Sequence, residues 1–377
     1  MTRLGREPGE LKVLVAMSGG VDSAVAAALL KNQGYNVIGV HMRLWDHGAA
    51  NTERFGGRCC SLVDSNDARR VCDKLDIPFY MIDAQGVFEH EVVDYFVHEY
   101  LMNRTPNPCA MCNNQVKFNY LYKKADELGC DMVATGHYTR VVTNQMTGEA
   151  QLFKAVDPAK DQSYFLFGLT QKALVRTLMP LGGFTKQMVR KLAAEFELGI
   201  AEKEDSQEIC FVGDDNYRKF IEKRTAPEFR PSGLVKTVEG ETVGKHEGLY
   251  GYTFGQRKGI TYTIKGKKMD DHFVVGFDQK NAVLLVGGEK YLFHNECLST
   301  KVTWIIPRNQ MKGLKCKAKI RSRHEEAGCL VTLFENNTVH VQFDEPQRAI
   351  TRGQVIVFYD GEEVLGGGFI ERVGPTN

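Results

Sequence analysis

Ser18-Gly19-Gly20-Val21-Asp22-Ser23 lies between an apolar run, Leu11-Lys12-Val13-Leu14-Val15-Ala16, and an amphipathic one, Ala24-Val25-Ala26-Ala27-Ala28-Leu29-Leu30. The first run reads as a strand and the second as a helix, so the six residues form a strand-to-helix turn. Glycines let backbone N–H groups approach an anion closely, and the helix dipole favours negative charge at that end. Ser18 and Ser23 add hydroxyl donors, and Asp22 is placed to orient the loop or help hold a magnesium ion. The Gly-Lys-Ser/Thr ending of a Walker loop is absent. Many turns need glycine for bland reasons; this one, in a strand-to-helix context, reads as a phosphate cradle.

Outward from the cradle, strands and helices alternate. Asn36–Arg43 reads as a strand, 64–75 as a helix, 78–83 as a strand, 87–103 and 113–128 as helices, and 131–135 as a strand. That alternation predicts a parallel, doubly wound α/β sheet with ligand at the strands' carboxyl ends. Three loops should meet there: 17–23, the residues after Val40, and Thr135-Gly136-His137-Tyr138. Helix-rich sequence continues through Lys186–Glu195. From about Pro227, glycines and short alternating runs dominate, and longer strand patterns follow Cys297, with turns at 335–337 and 360–361. The expected division is 1–222 (α/β), 223–292 (a small β-rich unit) and 293–377 (an antiparallel β-barrel).

Bulk properties narrow the class. The 377 residues are 43% hydrophobic and 25% charged, with a net charge of +1, so nucleic-acid contact would need local basic patches. No apolar run approaches the ~20 residues that span a bilayer, and the N-terminus has no apolar signal segment, so a cytoplasmic, membrane-free protein is expected. Ten cysteines in such a protein are not a disulfide scaffold.

Two cysteine clusters carry chemistry. Pro106-Asn107-Pro108-Cys109-Ala110-Met111-Cys112-Asn113 reads as a loop between helices, with Cys112 at or just before a helix start. A helix N-terminus lowers a thiol pKa. A Cys-x-x-Cys pair is a redox pair, a pair of metal ligands, or coincidence. Cys210, between Ile209 and Phe211, is a buried structural thiol or a reactive one. Cys59, Cys60 and Cys72 are metal ligands or buried structural thiols, and since adjacent cysteines rarely both bind one metal, burial is the expectation.

The motifs together resemble those of tRNA-specific 2-thiouridylases, within the PP-loop ATP pyrophosphatases. They are the Ser18–Ser23 loop, 106–113, 135–138, Lys160-Asp161-Gln162-Ser163, Asp205-Ser206 with Ile209-Cys210-Phe211, Phe254-Gly255-Gln256-Arg257-Lys258-Gly259, and Leu365-Gly366-Gly367-Gly368. The likeness spans about residues 11–372. It implies a PP-loop domain, ATP and Mg2+ as cofactors, and adenylation of the C2 oxygen of the wobble uridine in Lys, Glu and Gln tRNAs. Sulfur then displaces AMP. It implies nucleotide contacts at Ala16, Met17, Ser18, Gly19, Gly20, Val21, Asp22, Ser23, Met42 and Gly136. Contacts with the tRNA anticodon stem-loop fall on Asn107, Pro108, Cys109, His137, Lys160, Asp161, Gln162, Arg321, Ser322 and Gln354. Cys112 matches the family's nucleophile and Cys210 its persulfide carrier, loaded by a sulfur donor such as a cysteine desulfurase or a sulfur-relay protein.

One departure matters. The family pattern has aspartate where this chain has Cys109. Cys109, Cys112 and Cys210 therefore form a three-thiolate set suited to a [4Fe–4S] cluster with one open iron, beside the alternatives of a Cys210–Cys112 persulfide relay or zinc. The cluster is the expectation. Lys315, Lys317, Lys319, Arg321 and Arg323 alternate, which puts all five on one face of a strand as a solvated or phosphate-binding stripe. Lys265, Lys267 and Lys268 offer a further basic loop. Two rival readings are an adenylating ligase for a small metabolite, which needs no cysteine, and a non-catalytic tRNA- or sulfur-carrier-binding protein.

Overall fold

The computed structural model describes residues 4–45, 62–144, 146–203, 209–212, 216–259, 263–264, 267–268, 272–305 and 313–374. Cys59, Cys60, Lys265, Asp205 and Ser206 lie outside them, as do the side chains of Lys267 and Lys268.

The N-terminal part is built on β1 (Lys12–Ala16), α1 (Val21–Asn32), β2 (Asn36–Arg43), α2 (Leu62–Lys74) and β3 (Phe79–Asp83). Val13 and Val15 of β1 pack toward α1 and α2, whereas Leu14 between them faces the opposite core. Both faces are covered, which is why β1 reads as a continuous apolar run. Two longer helical stretches cover the Leu14 face. In one, α3 (Gln85–Phe88) runs through a π-helical turn, Glu89–Asp94, into α4 (Tyr95–Leu101). In the other, α5 (Pro108–Met111) runs through a second π-helical turn, Cys112–Phe118, into α6 (Asn119–Glu127).

The second stretch corrects an expectation. The Cys-x-x-Cys motif is not a loop, because the helix starts at Pro108 rather than near Asn113. Asn107 is the N-cap, its side chain accepting from Ala110 N at 3.1 Å, and Pro108 fills the first helical position, where no N–H is needed.

After β4 (Met132–Ala134), the hairpin β5 (Arg140–Thr143) and β6 (Ala150–Phe153), α7 (Gln171–Val175) and β7 (Thr177–Leu178), the sheet is complete. Its order is β3-β2-β1-β4-β7, all parallel. The chain winds outward from β1 to β3, then returns to the other side at β4. The switch point thus lies between the carboxyl ends of β1 and β4. α8 (Lys186–Glu195) packs beside α1, and α9 (Tyr217–Arg224) leads out of this unit.

Four strands, β8 (Gly233–Thr237), β9 (Thr242–His246), β12 (Phe273–Asp278) and β13 (Val283–Gly287), form a small sheet around Val235, Val243, Val274, Leu284 and Val286. A two-stranded ribbon of β10 (Thr263–Ile264) and β11 (Lys267–Lys268) precedes β12.

The remaining strands are β14 (Phe293–Trp304), β15 (Leu314–Lys319), β16 (Ala327–Leu333), β17 (Val339–Arg348), β18 (Val355–Asp360) and β19 (Glu363–Val373). They run antiparallel in the order β14-β17-β16-β15-β18-β19, and β14 pairs with β19 to close a six-stranded barrel. The turn between β16 and β17 carries Asn336 and Asn337 at φ 57° and 55°, the conformation such tight hairpins require.

Two features differ from expectation. The β5–β6 hairpin of the N-terminal part adds to the barrel sheet, with Leu152 opposite Val364. In addition, β15 ends at Lys319, so Arg321 and Arg323 lie in the following turn and do not extend the basic stripe.

Candidate active site

A cavity of about 310 Å³ opens at the switch point. Its wall includes Ala16, Met17, Ser18, Gly20, Val21, Asp22 and Ser23, from the end of β1 through the first turn of α1, with Met42 from β2 and Gly136 after β4. Of the expected nucleotide contacts only Gly19 is not on the wall, and its role is conformational. It sits at φ +78°, and a Cβ there would stand 2.1 Å from the carbonyl oxygen of Asp64. The three loops that should meet do so here.

The loop is braced from within. Ser23 Oγ accepts from Ser18 N at 3.1 Å and donates to Gly20 O at 3.1 Å, so this hydroxyl shapes the turn. Asp22 is braced from outside: Lys186 Nζ reaches its two oxygens at 2.8 and 2.9 Å, and Tyr138 Oη donates to Oδ1 at 2.8 Å. Asp64, the other carboxylate on the wall, pairs with Lys203 at 2.8 Å. Lysines therefore hold both acids.

His137, Lys160 and Gln162, expected as tRNA contacts, share the same wall. Gln162 exchanges hydrogen bonds with Tyr138, accepting from its N–H at 2.9 Å and donating to its carbonyl at 3.0 Å. Asp161 points into its own turn, where it accepts from Ala155 N, Ser163 N and Ser163 Oγ. His137 Nδ1 lies 2.8 Å from Thr135 Oγ1, and Thr135 Oγ1 donates to Met179 Sδ. Burial pushes the His137 pKa down to about 3, and Lys117 adds to the effect, so the imidazole is neutral at physiological pH.

Cys112, Ile209, Cys210 and Phe211 belong to one apolar cluster on the Leu14 side of the sheet. Cys112 is buried there and Cys210 half-buried, whereas Cys109 is exposed on the first turn of α5. Cys109 and Cys112, three residues apart on one helix, share a face. Among the described residues, no three His, Cys, Asp or Glu side chains are grouped so as to hold a metal ion. The three-thiolate set is not assembled in this arrangement. Cys72 is fully buried beneath β2, and burial raises its pKa to about 12, as befits a structural thiol.

Asn107 and Pro108 are buried at the helix start. Gln354 is tied to the same segment, its Nε2 donating to Thr105 O at 3.2 Å and Pro106 O at 3.3 Å. Arg321 is half-buried beside Tyr164, and its burial lowers its pKa; Ser322 is exposed in the turn.

Sequence reasoning missed His41, Asp64, Lys117, Lys186 and Lys203. His41 Nδ1 lies 2.8 Å from Met17 O and Lys117 lines the cavity. Position relative to the switch point was the available signal for His41. Lys117 sits five residues after Cys112, and Lys203 opens the segment that leads to Cys210.

The family model described as the tRNA methyl transferase HUP domain matches residues 11–214. The tRNA methyl transferase PRC-barrel domain matches 218–288, and the Aminomethyltransferase beta-barrel domain matches 294–370. The chain is 47% identical over 368 residues to the tRNA-specific 2-thiouridylase MnmA of Geotalea uraniireducens, covering 97% of this chain and 96% of that one. The namesake from Geobacter metallireducens is 46% identical over 369 residues, covering 97% and 98%. That from Clostridioides difficile is 44% identical over 362 residues, covering 96% and 98%. With this identity along nearly the whole length of both chains, the protein belongs to the tRNA-specific 2-thiouridylase family.

Proposed function

We propose that this protein is an ATP-dependent tRNA sulfurtransferase that converts the wobble uridine of Lys, Glu and Gln tRNAs to 2-thiouridine. The observation that carries the reading is the cavity at the switch point. One wall is the Ser18–Ser23 cradle, and the other presents His137, Lys160 and Gln162. A nucleotide and a base can meet there.

The uridine C2 oxygen attacks the α-phosphorus of ATP and pyrophosphate leaves. Adenylation turns a poor leaving group, oxide, into a good one, AMP. Backbone N–H groups of the cradle hold the phosphates, and neutral His137 faces the base without adding positive charge. Asp22 and Asp64 are each held by a lysine, so a magnesium ion would be carried chiefly on the nucleotide's own phosphates.

The packing of Cys112 and Cys210 in one apolar cluster supports a persulfide relay. The terminal sulfur of a Cys210 persulfide attacks C2 and AMP departs. Cys112 then attacks Cys210 Sγ, which breaks the S–S bond to the transferred sulfur and leaves a Cys112–Cys210 disulfide. An external dithiol reduces that disulfide, and a cysteine desulfurase or sulfur-relay protein reloads Cys210. A [4Fe–4S] cluster is the less favoured sulfur carrier, since among the described residues Cys109, Cys112 and Cys210 are not grouped as metal ligands. The start of α5, with Asn107, Pro108 and exposed Cys109, faces the target base. Residues 1–222 do the chemistry, while 223–292 and 293–377 grip the anticodon stem-loop, the barrel through Arg321, Ser322 and Gln354. The working compartment is the cytoplasm.

The test is a reconstituted reaction of ATP, a persulfide donor and unmodified tRNA. The reading expects 2-thiouridine and AMP in equal amounts, with Cys112→Ser and Cys210→Ser both inactive in thiolation. Iron retained after anaerobic purification, and required for product, would replace the relay by the cluster. Turnover with a metabolite and no tRNA would favour the small-molecule ligase. No AMP under any condition would favour a non-catalytic binding protein.

A further inference from the structure

We propose that Lys203 is a positioning residue for the ATP step, holding the nucleotide loop in its anion-binding shape rather than touching phosphate itself. This inference rests on the ATP-dependent reading above.

Lys203 comes from the segment after α8, far from the loop in sequence, yet it lies on the cavity wall. Its Nζ donates to Gly19 O at 2.9 Å, Asp64 Oδ1 at 2.8 Å and Asp67 Oδ2 at 2.6 Å. An ammonium has three N–H donors, and here all three are used. None is left for a phosphate, which decides between direct binding and positioning. The bond to Gly19 O fixes one end of the Gly19–Gly20 peptide. Because that peptide is planar and trans, its N–H at Gly20 is turned to the opposite side from the carbonyl, toward Ser18 Oγ on the cavity wall at 3.4 Å. Gly20 lines the cavity, and Gly19 does not.

Helix α8 anchors both ends of the arrangement. Arg190 donates to Ala201 O at 2.5 Å and Lys203 O at 3.1 Å, so the backbone bearing Lys203 is tied down. One turn earlier on the same face, Lys186 grips Asp22. The loop is therefore clamped at Gly19 through Lys203 and at Asp22 through Lys186, with α8 behind both. Burial alone would lower the Lys203 pKa; Asp64 and Asp67 overcome this and raise it, so the clamp stays charged at physiological pH.

The test compares Lys203→Met, Lys203→Arg and the double variant Lys203→Met/Asp64→Asn. The double variant avoids stranding the buried Asp64 carboxylate, which alone could unfold the chain. ATP Kd by equilibrium dialysis without tRNA, ATP KM, tRNA Kd and thermal midpoint are measured for each. The expected result is an ATP Kd and KM raised ~10-fold or more in both Met variants, tRNA Kd within about twofold of wild type, and Lys203→Arg restored to within about threefold. An ATP Kd unchanged in the double variant would overturn the proposal. So would an arginine variant as defective as the methionine one, or ATP and tRNA affinities that fall together with the thermal midpoint. Wild-type protein that binds ATP but makes no AMP with tRNA would defeat the functional reading alone, because the dialysis comparison still decides the role of Lys203.

Discussion

A methyl group at position 136 has no room: a Cβ there would stand 2.7 Å from both Asp22 C and Ser23 N. Gly136→Ala must therefore push β4's loop away from the cradle. The expected outcome is an ATP KM raised ~10-fold or more and a stability loss of about 1–3 kcal/mol, read by urea titration and steady-state kinetics. His137 gives a pH prediction. Its folded pKa is depressed to about 3, from an ordinary value of 6.5. Between those limits the unfolded chain takes up a proton that the folded chain refuses. Stability contributed by neutral His137 is thus complete above pH 6.5 and is lost progressively as pH falls toward 3. His41, lowered chiefly by burial, acts in the same direction. His137→Gln should flatten the pH dependence of unfolding by up to one proton, and an unchanged slope would contradict the burial account.

At the scale of elements, the two π-helical turns pack against each other, and one of them begins at Cys112. Such a turn holds one residue more than the α-helical path and rotates α5, on its N-terminal side, relative to α6. Deleting exposed Gln115 should restore α-helical register, swing Cys109 and Cys112 off their present face relative to α6, and abolish thiolation. Far-UV circular dichroism should stay near wild type. Retained activity would show that the turn does not place the thiols. These turns were not legible in the sequence, because apolar residues at helical spacing fit α and π geometry almost equally well over so short a run. Other elements were legible: strand Asn36–Arg43 appears with the bounds expected of it, and a helix lies at Lys186–Glu195, where the sequence reads as helix-rich. The start at Pro108 is hidden in the sequence because a proline there equally marks the end of a preceding helix. Asn107-Pro108 is equally a cap and a first helical residue.

For the whole molecule, the site is made by topology more than by motif. The cradle and Gly136 could be placed together from strand order, since a doubly wound sheet brings the ends of β1 and β4 to one crevice. Lys186 and Lys203 could not. They arrive from beyond the sheet, and nothing local marks a lysine as destined for a loop so much earlier in the chain. The attachment of the β5–β6 hairpin to the barrel was likewise invisible, because pairing across that separation leaves no local trace. The barrel supplies the whole-molecule prediction. Lys315 and Lys317 are exposed on β15. With a net charge of only +1, affinity for tRNA must come from such local patches. The double variant Lys315→Ala/Lys317→Ala should weaken tRNA binding at low salt by ~10-fold and reduce the slope of log K against log salt by roughly 1–2. An unchanged slope would move the RNA to another face.

The central claim is that the target uridine is adenylated in the switch-point cavity before sulfur arrives. Its most direct test uses tRNA carrying 18O at C2 of the wobble uridine, with mass spectrometry of the products. The account predicts one 18O in the phosphate of AMP for each 2-thiouridine formed, and none in pyrophosphate or water. Label released into water, or carried into pyrophosphate, would contradict it.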